Sequence, residues 1–569
     1  MADNEMTVDV LVVGSGQGAM TAALSAYEMG ARDVLLVEKG KLMGGTSALS
    51  GGVIWIPCNR HAKAAGQQDS FAEAMAYMRR TIPDDVRRED VLQAYVENGP
   101  RMIDFLESRS DVLFSSLAVY PDYHAEVEGG KLGHRALEPV PFDSGLLGED
   151  DTRVSQGHQN WYFMGRIPLS LSEVGVVQGN LKGWRTLMAK LVMQYVFDVP
   201  QRLRSRYGRW RKNGAAAVAR LFYSLKKRGV PMWSETAMRE LISENGRVTG
   251  AIIERDGKRI TVKTRKGVVL SAGGFDHNQK LRERYLPAPT NEAWSIGVPT
   301  NTGDALTAAV KVGAKIDLMR HSWWCMTMNV PDEERPRLCI IEKALPGSCL
   351  VNQRGRRFLD ESENYQALVE NFHKAHTAET PCWPCWLVFD ARYRRDYIVG
   401  PLLTPRLRPD WSFPKSWYEK GFLARAKTIE ELARKTGMDV AGLAGTIARM
   451  NEYAKTGKDL EFNRGETAYG RHYGDPKFKP NPNLAPINEA PFYALRVNPG
   501  DIGTGGGLVT NAHGQVMGEN GTPIPGLYAS GNCTAAVMPT YPGPGATIGP
   551  AMVFAYQAAK HMTGYNEAP

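Results

Sequence analysis

The chain has 569 residues, of which 43% are hydrophobic, and its 69 basic and 61 acidic side chains give a formal net charge of +8 at pH 7. This length predicts two domains or one large split domain, and the near balance of charge does not call for a polyanionic partner. Seven scattered cysteines indicate reduced thiols rather than a disulfide framework. The sequence contains no apolar run of about 18 residues and no recognisable secretory leader, so a cytoplasmic chain is expected.

The first predicted element is a βαβ unit. Residues 9–13 form an apolar strand, the glycine-rich turn 14–19 follows at once, and a helix of small residues covers 20–29. A second apolar strand, 34–37, ends in Glu38. This order is the fingerprint of a dinucleotide site, because the glycines let a pyrophosphate approach a helix N-terminus and the acid binds a ribose. The predicted cofactor contacts are Gly14, Ser15, Gly16, Ala19 and Glu38.

Three later segments favour a flavin over a nicotinamide. The loop 44–52 is made of small residues and hydroxyls, which let the backbone approach a large planar ligand. The segments 267–274 and 526–532 each read as a strand that runs into a glycine turn. One long ligand held at all these turns accounts for their wide separation. The predicted flavin contacts are Gly45, Thr46, Ser47, Ser50, Gly51, Gly52, Ala272, Gly273, Gly274, Gly531 and Asn532.

The segment 199–228 is strongly basic. It contains ten arginine and lysine residues and no acidic one, with apolar and aromatic side chains between them. Such a segment can lie on an anionic membrane surface, where each cation contributes about 1 kcal/mol. The alternative is a solvated insertion, and nucleic-acid contact is disfavoured because no nucleic-acid module accompanies the segment.

The turn 540–550 is the most informative segment for the chemistry. It places Tyr541 and Gly545 four residues apart, just before the apolar helical run 551–556. Backbone N–H groups at a helix N-terminus lack intrahelical partners, so this turn can bind an oxyanion. A tyrosine O–H and a glycine N–H on one carbonyl oxygen polarise a ketone and stabilise its enolate. The alternative is a Gly/Pro turn capped by a buried tyrosine.

Together these motifs resemble the flavoprotein family of fumarate reductases and 3-ketosteroid dehydrogenases, and within it the 3-ketosteroid Δ1-dehydrogenases. The similarity extends to residues 302–305 and 356–362. It implies an α/β fold, with a Rossmann-like FAD-binding domain built from both termini and an inserted α+β catalytic cap domain. FAD is the implied cofactor, and Asp304, Thr547 and Ile548 join its contacts. The expected domain limits are 1–325, 326–491 and 492–569, with the basic insertion at about 142–228.

The resemblance also implies a reaction. Fumarate-reducing members carry histidine and arginine groups near this turn, and their absence here implies an apolar 3-ketosteroid substrate. Tyr541 and Gly545 bind its C3 carbonyl, and Tyr365, as a tyrosinate, takes the C2 proton. Hydride from C1 goes to flavin N5. Tyr123 hydrogen-bonds the base, and Tyr120 lines the substrate pocket.

Several alternatives stay open. The first is a sister enzyme, a 3-ketosteroid Δ4-(5α)-dehydrogenase, and the others are a reductase of short unsaturated carboxylates and a non-catalytic steroid-binding flavoprotein. Asn364 stands where the family usually has proline, which leaves the backbone before Tyr365 open. The expected partners besides the steroid are a quinone-type electron acceptor and, through 199–228, the inner face of a membrane. We expect no metal site, because Cys382 and Cys385 have no further ligands at a suitable interval.

Overall fold

The structure is a computed structural model that describes residues 4–178 and 183–566. Its largest sheet has eight strands and contains the predicted βαβ unit. Strand Asn4–Val13 pairs in parallel with Val34–Val37 and with Lys258–Leu270. The paired ends are buried apolar runs, as parallel strands covered on both faces require. Helix Gln17–Glu28 connects the first two strands and begins slightly before its predicted start.

The C-terminal part of the chain returns to the same sheet. Strand Pro523–Ala529 pairs in parallel with Lys258–Leu270, which brings the 526–532 turn beside the 271–274 turn. Both turns therefore lie at the edge where parallel strands end and dinucleotides bind. The predicted α/β class, with an FAD-binding domain built from both termini, is confirmed. The other strands of the sheet are Met232–Trp233, Thr236–Glu244, Arg247–Arg255 and Gln515–Met517.

Helices pack closely against this sheet because their contact faces are made of small residues. Helix Gln17–Glu28 contacts both the C-terminal helix Ile548–Thr563 and helix Asn213–Lys227. Its alanines are fully buried, so the neighbouring backbones can approach. Helix Glu89–Arg109 also packs on Ile548–Thr563. Further helices of this part are Gly45–Leu49, Arg60–Ala64, Phe71–Thr81, Gln279–Tyr285 and Asp304–Lys311.

A second sheet has six strands and is antiparallel throughout. Its strands are Ser322–Met328, Arg337–Leu338, Ser348–Val351, Cys385–Phe389, Leu423–Ala426 and Phe492–Thr504. The helices that accompany it are Tyr365–Ala375, Ala391–Asp396, Lys415–Glu419, Ile429–Thr436, Val440–Thr456 and Ala468–His472. The sheet takes strands from both sides of the expected limits near 325 and 491, so those domain limits stay a prediction.

The insertion at about 142–228 has a small apolar cluster of its own. Its helices are Leu171–Gln178, Trp184–Phe197, Val199–Arg204 and Asn213–Lys227. The cluster consists of Ile167, Leu169, Val174, Met188 and Leu191. Ile341, from the chain between two strands of the second sheet, packs against this cluster. The insertion is therefore joined to the second sheet as well as to the first.

The segment 199–228 does not form the single basic face that its sequence suggests. Arg211 is buried and pairs with Asp151 at 2.6 Å, and Arg220 donates to three backbone carbonyls. Five more cations form ion pairs with carboxylates: Arg209, Lys212, Lys226, Lys227 and Arg228. The reason is that helix Asn213–Lys227 buries its apolar face in the core, which carries its cations to acidic neighbours. In the described part of the chain, three cations of this segment are exposed and have no ion pair: Arg202, Arg204 and Arg206.

The seven cysteines are free thiols, and six of them are buried. Burial raises the pKa of Cys382 to about 11, which keeps this member of the Cys382–Cys385 pair protonated at neutral pH. Within residues 4–178 and 183–566, no three potential metal ligands lie together. In the same residues, no helix has the length and apolar character needed to cross a membrane.

Candidate active site

A long cleft is lined by residues of both sheets and of the insertion. It brings together nearly all of the predicted site residues, although they lie far apart in the sequence. The predicted residues that line it are Gly14, Ser15, Gly16, Glu38, Gly45, Thr46, Ser47, Ser50, Gly51, Gly52, Tyr120, Tyr123, Ala272, Gly273, Asp304, Tyr365, Gly531, Asn532, Tyr541, Gly545, Thr547 and Ile548.

One end of the cleft is formed by the βαβ turn. Glu38 follows the second strand, and its carboxylate accepts hydrogen bonds from the Ser15 hydroxyl at 2.5 Å and from the Gly40 N–H at 2.7 Å. Burial raises the pKa of Glu38, while the Ser15 and Gly40 bonds act to lower it. Next to it, Lys39 Nζ pairs with Asp304 at 2.7 Å. Glu38 is thus held as an acceptor beside the strand end, where a ribose hydroxyl binds in this type of fold.

The glycines at this end are required by close backbone approach. Gly14 has φ +111°, and a Cβ on it would lie 2.1 Å from the Ser271 carbonyl oxygen. Gly273 has φ +76°, and a Cβ there would lie 2.4 Å from the Asn301 side-chain oxygen. A side chain at Gly14 would push the 14–19 turn away from the 271–274 turn, and a side chain at Gly273 would collide with Asn301. The bare backbone leaves room for a phosphate-bearing ligand at the N-terminus of helix Gln17–Glu28, whose first turn carries no acid.

The start of this helix faces the cleft through Gly16 and Gly18, whereas the fully buried side chain of Gln17 does not line it. The glycine turns, the helix N-terminus, Glu38 and the long cleft all fit a bound FAD.

Two of the predicted cofactor residues do not line the cleft. Ala19 is fully buried in the packed face of helix Gln17–Glu28. Gly274 lies behind the turn, where a Cβ would come within 2.0 Å of the Thr504 hydroxyl. Both positions need small residues for packing and make no contact with the cleft. The sequence prediction missed Gly18 and Asn301, which do line the cleft. Of these two, only Gly18 could have been found from the sequence, because it lies inside the glycine fingerprint.

The other end of the cleft is a cluster of tyrosines. The Tyr123 hydroxyl donates to the Tyr365 hydroxyl at 3.0 Å. The ring of Tyr541 lies 5.3 Å from that of Tyr365 and 5.4 Å from that of Tyr123, measured between centroids. All three side chains are buried. The predicted base, its helper and the predicted oxyanion donor therefore meet at one point, although they come from three separate segments of the chain.

The turn after Tyr541 has an unusual backbone. Tyr541 itself has φ +56°, a conformation that costs a non-glycine residue about 1–3 kcal/mol and is concentrated at functional sites. Gly545 has φ +93°, and a Cβ on it would lie 2.4 Å from the Val53 carbonyl oxygen. Burial raises the pKa of Tyr541, and hydrogen bonds from Tyr365, Thr547 and the Gly545 backbone act to lower it. The Gly545 amide therefore lies within hydrogen-bonding reach of the Tyr541 hydroxyl, and both residues line the cleft.

The phenol of Tyr365 is not made acidic by its surroundings. Burial raises the pKa of Tyr365 well above its ordinary value, Tyr541 and Tyr120 act in the same direction, and only the Tyr123 hydrogen bond lowers it. Tyr365 is the first residue of helix Tyr365–Ala375, so the positive end of the helix dipole faces its backbone. Near neutral pH this phenol is mostly protonated, and the fraction of tyrosinate increases with pH.

Apolar and aromatic residues complete the tyrosine end, and the sequence prediction missed most of them. The Tyr473 and Tyr120 hydroxyls are 2.6 Å apart, and the Trp161 Nε1–H donates to the Leu49 carbonyl at 2.8 Å. The additional lining residues are Trp161, Leu171, Val174, Leu338, Ile340, Ile341 and Tyr473. Among the described lining residues, Lys39 at the dinucleotide end is the single lysine or arginine. The cleft therefore suits an uncharged, largely apolar substrate.

Comparison with known proteins agrees with this geometry. Residues 9–548 match the family model described as FAD binding domain, and the chain belongs to that family of flavoproteins. Within the family, it is 37% identical to the 3-oxosteroid 1-dehydrogenase of Mycobacterium tuberculosis, covering 97% of this chain and 98% of that protein. It is 35% identical to the 4-oxocyclohexanecarboxylate 2-dehydrogenase of Sinomonas cyclohexanicum, covering 98% and 93%.

A solved structure gives a geometric comparison over nearly the whole chain. The 3-ketosteroid delta1-dehydrogenase from Sterolibacterium denitrificans, in complex with 1,4-androstadiene-3,17-dione, superposes with a TM-score of 0.95 at 41% identity. The match covers 98% of this chain and 100% of that one. The predicted family, the fold class and the FAD cofactor are confirmed by these relatives.

Proposed function

We propose that this protein is an FAD-dependent enzyme that introduces the 1,2 double bond into ring A of 3-ketosteroids. The observation that carries the proposal is the convergence of Tyr541, Gly545, Tyr365 and Tyr123 at one end of a cleft whose other end fits FAD. Relatives that cover nearly the whole chain are named for this reaction. The Δ4-(5α)-dehydrogenation also removes a proton from a carbon next to C3, so the position of the new double bond in the product separates the two reactions.

The tyrosine end supplies the proton chemistry. The Tyr541 hydroxyl and the Gly545 N–H donate to the C3 carbonyl oxygen, which stabilises the enolate that forms at C2. Tyr365 accepts the C2 proton at its phenolate oxygen, and Tyr123 stabilises that phenolate through the 3.0 Å hydrogen bond. Bound FAD supplies a hydride acceptor for C1. The apolar walls exclude water, so the enolate is not quenched by bulk proton donors.

The charge of the cleft separates a steroid from a small keto acid. The Sinomonas relative is named for a substrate that carries a carboxylate. A buried carboxylate needs a cation or several N–H donors, and in the described lining of this cleft the single cation, Lys39, is already paired with Asp304 at 2.7 Å. A steroid needs neither of these. Its apolar rings match the walls formed by Trp161, Leu338 and Ile341.

Anaerobic mixing of the holoenzyme with 3-ketosteroids tests this proposal. We expect a 4-ene-3-ketosteroid to bleach the yellow flavin absorbance and to leave as the 1,4-diene. A 5α-steroid converted to the 4-ene would support the Δ4-(5α)-dehydrogenase instead, and binding without bleaching would support a non-catalytic flavoprotein. Bleaching by 4-oxocyclohexanecarboxylate, with no response to steroids, would assign the small keto acid.

We also propose a quinone-type electron acceptor. Each turnover leaves two electrons on the enzyme, and a substrate as apolar as a steroid is concentrated in the same membranes as quinones. The test is reoxidation of the steroid-reduced enzyme by a water-soluble quinone compared with dissolved oxygen. Reoxidation that is no faster with the quinone at equal concentration would contradict this assignment.

The insertion offers a surface for peripheral membrane contact, and we propose an anionic lipid bilayer as its partner. An exposed apolar patch lies on helices Trp184–Phe197 and Val199–Arg204, where Phe197 is 73% and Leu203 is 84% exposed. Its members are Met193, Val196, Phe197, Val199 and Leu203. The three unpaired arginines of the segment, Arg202, Arg204 and Arg206, adjoin this patch in sequence. Apolar side chains flanked by unpaired cations are typical of interfacial helices.

Vesicle sedimentation tests the membrane contact. We expect the holoenzyme to sediment with phosphatidylglycerol-containing vesicles and to remain in solution with phosphatidylcholine alone. The double variant Phe197→Ser with Leu203→Ser should lose this binding. Trp411→Ser is the matched control, because Trp411 is 87% exposed and lies in a different part of the chain. Equal sedimentation of the double variant and the wild type would contradict the proposal.

A further inference from the structure

A buried polar network lies behind the two segments that carry Tyr123 and Tyr541. It consists of Trp55, Tyr77, Asp122 and Arg135, which we call the turn clamp. All four residues are buried, and none of them lines the cleft. They therefore touch neither substrate nor cofactor in the proposed reaction. Their contacts are nevertheless directed at the two catalytic segments.

Tyr77 joins the two segments through its hydroxyl. This group donates to the Pro542 carbonyl at 2.6 Å and accepts from the His124 N–H at 3.2 Å. The Tyr123 N–H donates to the same Pro542 carbonyl at 2.9 Å. The Pro542 carbonyl, directly after Tyr541, therefore accepts hydrogen bonds from the Tyr123 backbone and from Tyr77, and Tyr77 also binds the His124 backbone.

Asp122 makes a second connection through Trp55. Its carboxylate accepts from the Trp55 Nε1–H at 2.7 Å, from Arg135 at 2.8 Å and from the Lys131 N–H at 3.0 Å. The indole of Trp55 lies close to the Tyr541 turn: a Cβ on Gly543 would come within 2.4 Å of Nε1. Asp122 precedes Tyr123 directly, so one carboxylate fixes both the helper's segment and the indole that supports the oxyanion turn.

The cost of this arrangement indicates that it is more than packing. Burial raises the pKa of Asp122 to about 6, and the Arg135 charge acts against that rise. A buried ion pair is often no more stabilising than apolar residues of similar volume. Arg135 is also held by Asp69, at 2.6 Å and 2.9 Å, so the pair is fixed from both sides. Together with the backbone hydrogen bond from Tyr123 to Pro542, the network fixes the distance between the two loops.

We infer that Tyr77 and Asp122 are positioning residues, which set the position of the oxyanion donors Tyr541 and Gly545 relative to the phenol pair Tyr123–Tyr365. This inference rests on the proposed function. Displacing a reacting group by about 1 Å costs on the order of a hundredfold in rate. The clamp therefore acts on the chemical step and on the affinity for an enolate-like ligand, and leaves FAD binding at the other end of the cleft unchanged.

Two variants and one matched control test the inference. Tyr77→Phe removes one hydroxyl, and Asp122→Asn removes one charge with almost no change of volume. Tyr397→Phe is the control, because its buried hydroxyl donates to Asp475 at 2.7 Å, away from the tyrosine cluster. Each holoenzyme is assayed for melting temperature, FAD content, the rate of anaerobic flavin bleaching at saturating 3-ketosteroid, and the affinity for a steroid with a phenolic ring A. The phenolic steroid resembles the enolate and binds without turnover.

We expect Tyr77→Phe and Asp122→Asn to lose at least about tenfold in bleaching rate and in affinity for the phenolic steroid, with FAD retained. Tyr397→Phe should lower the melting temperature and leave both quantities within threefold of the wild type. Folded, FAD-loaded variants with both quantities unchanged would overturn the inference, as would an equal loss in Tyr397→Phe. If Tyr77→Phe does not fold, the bleaching rate and the phenolic-steroid affinity of Asp122→Asn decide whether the inference holds. A wild type that no 3-ketosteroid bleaches would refute the proposed function, whereas a bleached wild type with unchanged variants refutes only the clamp.

Discussion

Replacement of Tyr541 by phenylalanine isolates the oxyanion donor. The ring of Tyr541 packs between Tyr123 and Trp323, each with a centroid distance of 5.4 Å, and phenylalanine keeps both contacts. The variant therefore loses one hydroxyl and little packing. The Gly545 N–H stays in place as the second donor. The change tests the role of a single hydrogen bond to the C3 oxygen.

Two effects of this substitution oppose each other. Loss of one oxyanion donor typically costs about 100- to 1000-fold in rate, or about 3–4 kcal/mol. The Tyr541 hydrogen bond also raises the pKa of Tyr365, so its removal makes the base easier to ionise. Each pKa unit of such a change corresponds to about 1.4 kcal/mol, which is about half of a hundredfold loss and about a third of a thousandfold loss. We therefore expect Tyr541→Phe to slow flavin bleaching by at least about tenfold, and by about a hundredfold where the pKa effect is small.

Stopped-flow bleaching under anaerobic conditions measures this step directly. Saturating 3-ketosteroid separates the rate of the chemical step from substrate affinity, and the flavin spectrum before mixing reports FAD content. Tyr469→Phe serves as the control, because Tyr469 is buried, its ring lies 4.7 Å from that of Tyr123, and it does not line the cleft. A Tyr541→Phe enzyme that bleaches at the wild-type rate with FAD bound, or a Tyr469→Phe enzyme with the same loss, would refute the reasoning.

Three further predictions follow from the same geometry. Gly545→Ala places a Cβ 2.4 Å from the Val53 carbonyl oxygen at a residue with φ +93°. We therefore expect a lower melting temperature and at least about a hundredfold slower bleaching. An active, stable variant would contradict this. Burial raises the pKa of Tyr365, and the tyrosinate is the reactive form, so the bleaching rate should rise with pH from neutral to alkaline values. Tyr123→Phe removes the hydrogen bond that lowers this pKa and should move the rise to higher pH. A rate independent of pH would exclude a tyrosinate base. Glu38→Gln removes one charge-assisted acceptor at the dinucleotide end, so FAD should bind about tenfold more weakly. Flavin fluorescence during dilution measures this affinity, and the bleaching rate of the FAD-loaded fraction should stay unchanged.

The local parts of this protein were predictable because their signals are local. The turn 14–19 lies between two apolar strands, and the positive φ of Gly14 and the buried acceptor Glu38 follow from that order. The same holds for the 540–550 turn, where Tyr541 and Gly545 share one short backbone feature. Their roles in the reaction stay predictions that the experiments above decide.

The basic segment shows where such reasoning fails. Charge counting treats 199–228 as one surface, but a helix distributes its side chains around its axis. Arg211 is buried, and helix Asn213–Lys227 turns its apolar face into the core. Which of ten cations remain unpaired depends on acids from distant segments, such as Asp151 and Glu28. No pattern within the segment contains that information.

The sequence by itself determined the dinucleotide unit and the family, because their motifs depend on neighbours along the chain, and the resemblance to the family predicted the three tyrosines. Only the tertiary structure decided that Tyr123, Tyr365 and Tyr541 meet, that Trp161 and Ile341 line one wall, and that Asp122 and Tyr77 connect the segments of Tyr123 and Tyr541. The physical reason is that contacts between residues hundreds of positions apart are fixed by the packing of whole sheets and helices. Hydrogen bonds of 2.6–3.0 Å between such residues exist only once that packing is complete.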